Sequence, residues 1–192
     1  EGDVFILSGD VPTLPTDTIR GLDEVSADAA VAVLGMRLDD PRAYGRFVRD
    51  EAGEVCRIVE ARDCTPEELC IQEVNAGIYR ADARFLFDTL AEMGTDNAQG
   101  EYYLTDLVQA AAQAGRGVAT LVLEGATAEE AGGVNDRLDL AAAEARMQRR
   151  LRGALMTDGV TLIDPARVTV HDGVEVGPDT VIEPDVSLLG AT

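Results

Sequence analysis

At 192 residues the chain is long enough for one ordinary domain or for parts of two, and a hydrophobic fraction of 46% excludes a disordered tail. The formal net charge of −20, from 36 acidic and 16 basic residues, excludes general binding to phosphate backbones. It leaves room for a nucleotide site in which a metal ion and a few backbone amides outweigh the global field.

All the basic residues are arginine, which with the abundance of Ala, Gly, Val and Asp reads as a composition bias or a high-salt adaptation. No apolar run reaches the ~20 residues of a membrane span, and no stretch reads as a signal peptide. Cys56, Cys64 and Cys70 lack the spacing of a zinc site and read as reduced thiols, so a cytoplasmic protein is expected. The chain starts at Glu1 and runs at once into an apolar segment, which suggests a piece of something longer.

Val4–Leu7 is a continuous apolar run ending at Ser8-Gly9-Asp10, the pattern of a strand buried on both faces of a parallel sheet. Thr16–Val25 reads as a helix of weak periodicity and Ala29–Met36 as a second buried strand. Pro41–Val48 is a loop entering a strand, 51–54 a turn, and Val55–Glu60 the next extended piece. Thr65-Pro66-Glu67-Glu68 has the cap residue, proline and early acids of a helix start. Val74–Tyr79 is strand-like, Ala83–Met93 and Thr105–Ala114 are helical, and Val118–Leu123 is a strand. Strands alternating with helices in this way predict an α/β domain.

From Arg137 to Met156 the chain is rich in Ala, Leu and Arg and reads as one long helix capped by Asn135 or Asp136. Helical periodicity ends after Gly159. Val170, Val176, Ile182 and Leu188 then recur at a spacing of six, with Val168, Val174, Thr180 and Val186 in a second register. A six-residue period is the mark of a parallel β-helix, each hexad placing an aliphatic side chain inside one face of a triangular coil.

Asp10 lies just past a strand end, where α/β sheets bind ligands and where a carboxylate can hold Mg²⁺ against phosphates; as a residue type it also suits a plain turn. Asn135 reads first as a helix cap, a role that does not exclude ligation of a hard cation. Glu60 and Asn75 stand near strand ends and Gly45 in a tight Tyr-Gly-Arg segment. Short polar side chains and close backbone approach of this kind suit a sugar, although each alone reads better as a solvated or turn residue. The polar and aromatic run Asn97–Asp106 is unusually dense for a connector. His171, in the repeat region, reads as an exposed structural residue. No nucleophilic triad, Walker loop or dinucleotide fingerprint occurs, and no side chain is assigned a catalytic role.

In combination, Gly9-Asp10-Val11-Pro12, Tyr44-Gly45-Arg46, Ile58-Val59-Glu60, Val74-Asn75-Ala76-Gly77-Ile78, Asn97–Asp106, Gly133–Arg137 and Gly159–Pro165 resemble, in order, a bacterial enzyme family. It is the bifunctional N-acetylglucosamine-1-phosphate uridyltransferase/glucosamine-1-phosphate acetyltransferase. The resemblance implies Mg²⁺-dependent transfer of uridylate from UTP to N-acetylglucosamine 1-phosphate, giving UDP-N-acetylglucosamine. It implies Asp10 and Asn135 as metal ligands, and Ser8, Gly9, Asp10, Gly45, Glu60, Asn75 and Asn135 along the bound UDP-N-acetylglucosamine. The expected fold is the C-terminal part of a Rossmann-like nucleotidyltransferase domain (1–137), a linking helix (138–158), and the first coils of a left-handed parallel β-helix (159–192).

Three positions depart from the family pattern: Ser8 stands where a tyrosine is usual, Arg62 where a lysine is usual, and Ala76 where a threonine is usual. The family's glycine-rich L-A-A-G-x-G-T-R-M loop and its downstream lysine do not occur in these 192 residues. Nor do the later coils that would take acetyl-CoA and glucosamine 1-phosphate. The expectation is therefore an internal segment, inactive and prone to self-association alone, of a protein that forms a homotrimer when complete. Two alternatives stay open: transfer to another sugar 1-phosphate, and a degenerate trimeric scaffold.

Overall fold

The computed structural model describes residues 2–26, 28–94 and 100–190. They form two compact units, Glu1–Gly133 and Val134–Thr192.

In the first unit the elements are β1 (Asp3–Ile6), α1 (Thr16–Val25), β2 (Val31–Arg37), β3 (Arg46–Arg49), β4 (Val55–Val59), β5 (Glu73–Asp82), α2 (Ala83–Glu92), α3 (Asp106–Gln113), β6 (Val118–Leu123) and α4 (Ala126–Glu130). The six strands make one sheet in the order β4-β3-β5-β2-β6, with β1 on the far half of β5. The sheet is mixed. β2 and β6 are parallel, whereas β5 runs antiparallel to β1, β2 and β3.

β2 explains the layering. Six of its seven residues are buried, so alternate side chains feed two cores, as a strand's period of two requires. Val31 and Val33 join Tyr79, Leu86, Leu107, Val108 and Ala111 beneath α2 and α3. Ala32, Leu34 and Met36 join Leu22, Val74, Ile78, Ala128 and Ala131 beneath α1 and α4. Gly35 interrupts the strand for a packing reason: a Cβ there would stand 2.6 Å from Cε2 of the Phe47 ring, and the β2–β5 register shifts beside it.

Two sequence expectations need correction. Val4–Leu7 is not a doubly buried parallel strand. β1 pairs only with β5, antiparallel, and alternates exposed and half-buried, with Leu7 just beyond it 51% exposed. The apolar run lacks a second neighbour, so one side of it has nothing to bury against. The helix start at Thr65 yields a single 3₁₀ turn, Glu68–Cys70. Its capping box does form, with Thr65 N–H donating to Glu68 Oε2 at 2.8 Å and Glu68 N–H to Thr65 Oγ1 at 3.2 Å. No amphipathic run follows, and Ile71 turns extended into β5.

In the second unit, α5 (Arg137–Thr157) is capped by Asp136, whose carboxylate accepts from Leu138 N–H at 2.7 Å and Asp139 N–H at 2.9 Å. Four two-residue strands follow: β7 (Thr161–Leu162), β8 (Thr169–Val170), β9 (Val181–Ile182) and β10 (Ser187–Leu188). β8 pairs β10 in parallel with Val170 opposite Leu188, three hexads later. β7 pairs β9 in parallel with Leu162 opposite Ile182, a wider interval that accommodates the 3₁₀ turn Pro165–Arg167. Their inward side chains, Leu162, Val168, Val170 and Ile182, pack on Leu151 and Leu155 of α5. Thr180, which the second register would turn inward, is exposed.

Candidate functional site

The carboxyl end of β1, the loop before β3, the end of β4, the middle of β5 and the segment after α4 converge on one open cleft of about 200 Å³. Ser8, Asp10, Gly45, Glu60 and Asn75 line it together with Val11, Ala43, Tyr44, Ala76, Gly77 and Gly133. Gly9 sits in the turn between Ser8 and Asp10.

Each polar side chain is placed by its neighbours. Ser8 Oγ donates to the Gly77 carbonyl at 2.9 Å. Gly77 holds φ +74°, a left-handed conformation, and a Cβ on it would meet Ser8 Oγ at 2.6 Å, so only glycine fits. Asn75 is fixed from both ends of its amide: Oδ1 accepts from Gly77 N–H at 2.9 Å and Nδ2 donates to Tyr79 Oη at 2.7 Å. Burial pushes the Tyr79 phenol well above its usual range, so it stays neutral there. The β3–β5 junction adds a bond from Asn75 N–H to the Gly45 carbonyl at 2.8 Å.

The loop carrying Gly45 is held by a buried cation. Arg46 is 3% exposed, and its guanidinium donates to the carbonyls of Pro41, Arg42 and Tyr44, with no carboxylate partner among the described residues. Tyr44 reaches across to Gly133, whose N–H donates to Tyr44 Oη at 3.1 Å. Gly133 in turn flanks Asp10, since a Cβ on it would stand 2.9 Å from Asp10 Oδ2.

Glu60 is half-buried, and desolvation raises its pKa, reinforced by the charges of Asp63 and Asp106. The Thr105 hydroxyl faces it and acts the other way, though outside ordinary hydrogen-bonding geometry. Burial also raises the Asp106 carboxyl.

Among the described residues the cleft therefore carries two carboxylates, Asp10 and Glu60, and no basic side chain. An anionic ligand entering it requires a cation to offset the repulsion. Asp10 is exposed, with its carboxylate unpartnered among the described residues, and supplies the hard oxygen that Mg²⁺ takes alongside phosphate oxygens. The donor chemistry thus fits a magnesium ion, and the described residues contain no cluster of three or more His, Cys, Asp or Glu that holds a metal unaided.

Asn135 belongs to the second unit, where its backbone N–H donates to Asp139 Oδ2 at 3.1 Å; Asp136, not Asn135, takes the capping role. Asn97, Ala98 and Gln99 lie outside the described residues. His171 is exposed, with Nδ1 accepting from Gly190 N–H at 3.3 Å, and the three cysteines are free thiols.

Sequence reasoning did not single out Tyr44, Gly77, Gly133 or Thr105 as parts of the site. A weak signal existed for all four: Tyr44, Gly77 and Gly133 each stand within two residues of a candidate, and Thr105 lies in the dense run Asn97–Asp106.

No family model matches the chain. Curated relatives do, along its whole length. It is 47% identical over 193 aligned positions to the bifunctional protein GlmU of Pelobacter propionicus and 52% identical over 193 to that of Anaeromyxobacter dehalogenans. The whole chain is covered in both comparisons, but it spans only 42% and 39% of those proteins. Among solved structures, CMP:2-keto-3-deoxy-manno-octonic acid synthetase complexed with CTP superposes with a TM-score of 0.51 and 16% identity. That superposition takes in 77% of this chain and 62% of the other, and at such identity it speaks to the fold alone. The fold is that of a nucleotidyltransferase α/β domain with a mixed sheet. No helix among the described residues is long and apolar enough to cross a membrane.

Proposed function

The chain belongs along its whole length to the family of bifunctional GlmU proteins, and on that premise we propose that its cleft is the sugar- and metal-holding side of a uridyltransferase site. The reaction is transfer of uridylate from UTP to N-acetylglucosamine 1-phosphate, releasing pyrophosphate and forming UDP-N-acetylglucosamine. The observation that carries this reading is the convergence of Ser8, Asp10, Gly45, Glu60 and Asn75 on one cleft. Its 200 Å³ is below the roughly 300–1,000 Å³ of pockets that enclose whole drug-sized ligands, and suits one sugar unit.

The chain's residues divide the work. Glu60 and the amide of Asn75 bind sugar hydroxyl and acetamido groups. Gly45 and Gly77 let backbone approach the ring, where a Cβ has no room. The rigid Asn75–Tyr79–Gly77 hydrogen bonds hold that geometry before the sugar arrives, which reduces the ordering cost of binding. Within the first unit, Asp10 is the proposed protein ligand of Mg²⁺. When bound, the ion supplies positive charge against the phosphates of donor and acceptor.

We further propose that residues 159–192 begin a left-handed β-helix. The three-hexad interval between Val170 and Leu188 supports it, since it equals one turn of a triangular coil. In the longer relatives such coils would bring acetyl transfer from acetyl-CoA to glucosamine 1-phosphate, and trimer formation. These 192 residues contain no lysine and no glycine-rich phosphate loop. The chain by itself is therefore expected to bind sugar nucleotide without turnover.

Ligand-observed NMR with UDP-N-acetylglucosamine tests the reading. Saturation transfer is expected to the N-acetylglucosamine protons, and to be lost in Asn75→Ala and Glu60→Ala. Transfer unchanged in both variants would remove the sugar assignment.

A further inference from the structure

Thr105 occupies the residue before α3, where a threonine hydroxyl ordinarily caps the helix. It makes no such bond: its backbone is already helical, φ −58° and ψ −25°, and its side chain accepts no amide hydrogen. The residue is 5% exposed, and its Oγ1 is buried without a hydrogen-bond partner among the described residues. An unsatisfied buried hydroxyl costs free energy, so its retention calls for a use. The hydroxyl faces the carboxylate of Glu60, in the wall of the cleft. The Glu60 carboxylate in turn accepts no hydrogen bond of ordinary geometry from a side chain among the described residues. A donor without an acceptor and a carboxylate without a donor thus face each other.

We propose that Thr105 is a positioning residue for Glu60, its hydroxyl donating to one carboxylate oxygen and turning the other toward a sugar hydroxyl in the cleft. This deepens the sugar-binding reading and rests on it. The bond closes when the ligand excludes water and Glu60 settles against α3. The charged groups facing Glu60 are Asp63, in the turn after β4, and Asp106, at the start of α3. Tyr79 and Cys64 also feel its charge. Both carboxylates oppose ionisation of Glu60, and Thr105 is the side chain that favours it. An ionised Glu60 is the better acceptor for a sugar hydroxyl.

The test compares Thr105→Val, an isostere without the hydroxyl, with Thr105→Ser, which keeps it. The Glu60 carboxyl is titrated by ¹³C NMR, and UDP-N-acetylglucosamine affinity is measured across pH. In Thr105→Val the Glu60 midpoint is expected to rise and affinity to fall by roughly three- to tenfold. The pH profile of binding should move upward with the midpoint, and the melting temperature should be unchanged or higher. Thr105→Ser should restore the wild-type titration. An unmoved Glu60 midpoint in Thr105→Val, or equal shifts in both variants, would overturn the proposal. Should the wild type bind no UDP-N-acetylglucosamine, the sugar reading itself fails, and the Glu60 titration still decides whether Thr105 governs that carboxylate.

Discussion

Gly133 and Asp10 are packed so closely that a single added methyl on the glycine would lie 2.9 Å from Asp10 Oδ2. Gly133 thereby forms a wall behind the proposed metal-binding carboxylate. In Gly133→Ala the flexible carboxylate is expected to rotate away while the fold survives, costing less than ~1 kcal/mol of stability. Any Mg²⁺-dependent enhancement of UDP-N-acetylglucosamine binding is expected to fall. Thermal melts and binding isotherms of the variant check this; an unaffected metal dependence would show that Asp10 needs no such wall.

Glu60 gives a pH signature whose sign follows from its surroundings. Its carboxyl is raised in the folded protein, chiefly by desolvation and then by Asp63. The folded state thus holds this proton more tightly than the unfolded chain does. The group's favourable contribution is complete below the unfolded carboxylate pKa of about 4.3 and is lost as pH rises through the folded value. Glu60→Gln is therefore expected to stabilise the ligand-free protein at pH 7, with the gain shrinking toward pH 4. Urea melts at the two pH values measure it, and a larger gain at pH 4 would reverse the sign.

In the second unit Gln148 acts as a substitute strand. Its side-chain amide nitrogen, Nε2, donates to the Val170 carbonyl at 2.8 Å, and its Oε1 accepts from Val170 N–H at 2.9 Å. This satisfies the edge of β8 opposite its partner β10. Gln148→Leu keeps bulk but orphans both backbone groups, with an expected cost of about 1–3 kcal/mol. Hydrogen exchange at the Val170 amide should accelerate in step; unchanged protection would mean water replaces the side chain without loss.

β1 offers an unprotected edge, with Phe5 38% and Leu7 51% exposed. Leu7→Arg is expected to lower self-association at high protein concentration, as read by sedimentation velocity. Undiminished association would place the sticky surface elsewhere.

Much of the layout was legible because it rests on local period. The buried strand expected over Ala29–Met36 formed as β2, Val31–Arg37, α1 ran over the expected residues, and Asp136 was one of two named caps for α5. The six-residue spacing put Val170 and Leu188 in one series, and β8 and β10 pair those two residues. What failed depended on neighbours. Val4–Leu7 is as apolar as a central strand but has a partner on one side only. Thr65-Pro66-Glu67-Glu68 formed its capping box, yet nothing downstream rewarded a longer helix. Thr180 matches the hexad spacing but is polar, and it faces solvent. At the site, Asp10, Glu60 and Asn75 were named from their motifs. Tyr44, Gly77, Gly133 and Thr105 matter through close approaches between residues far apart in the chain, which no local pattern encodes.

The most direct test of the central claim is a titration of UDP-N-acetylglucosamine into the wild-type protein and Asp10→Ala, each with and without Mg²⁺. The account predicts tighter wild-type binding with Mg²⁺, and an Asp10→Ala variant that binds weakly and equally in both conditions. Equal Mg²⁺ enhancement in the two proteins would contradict it.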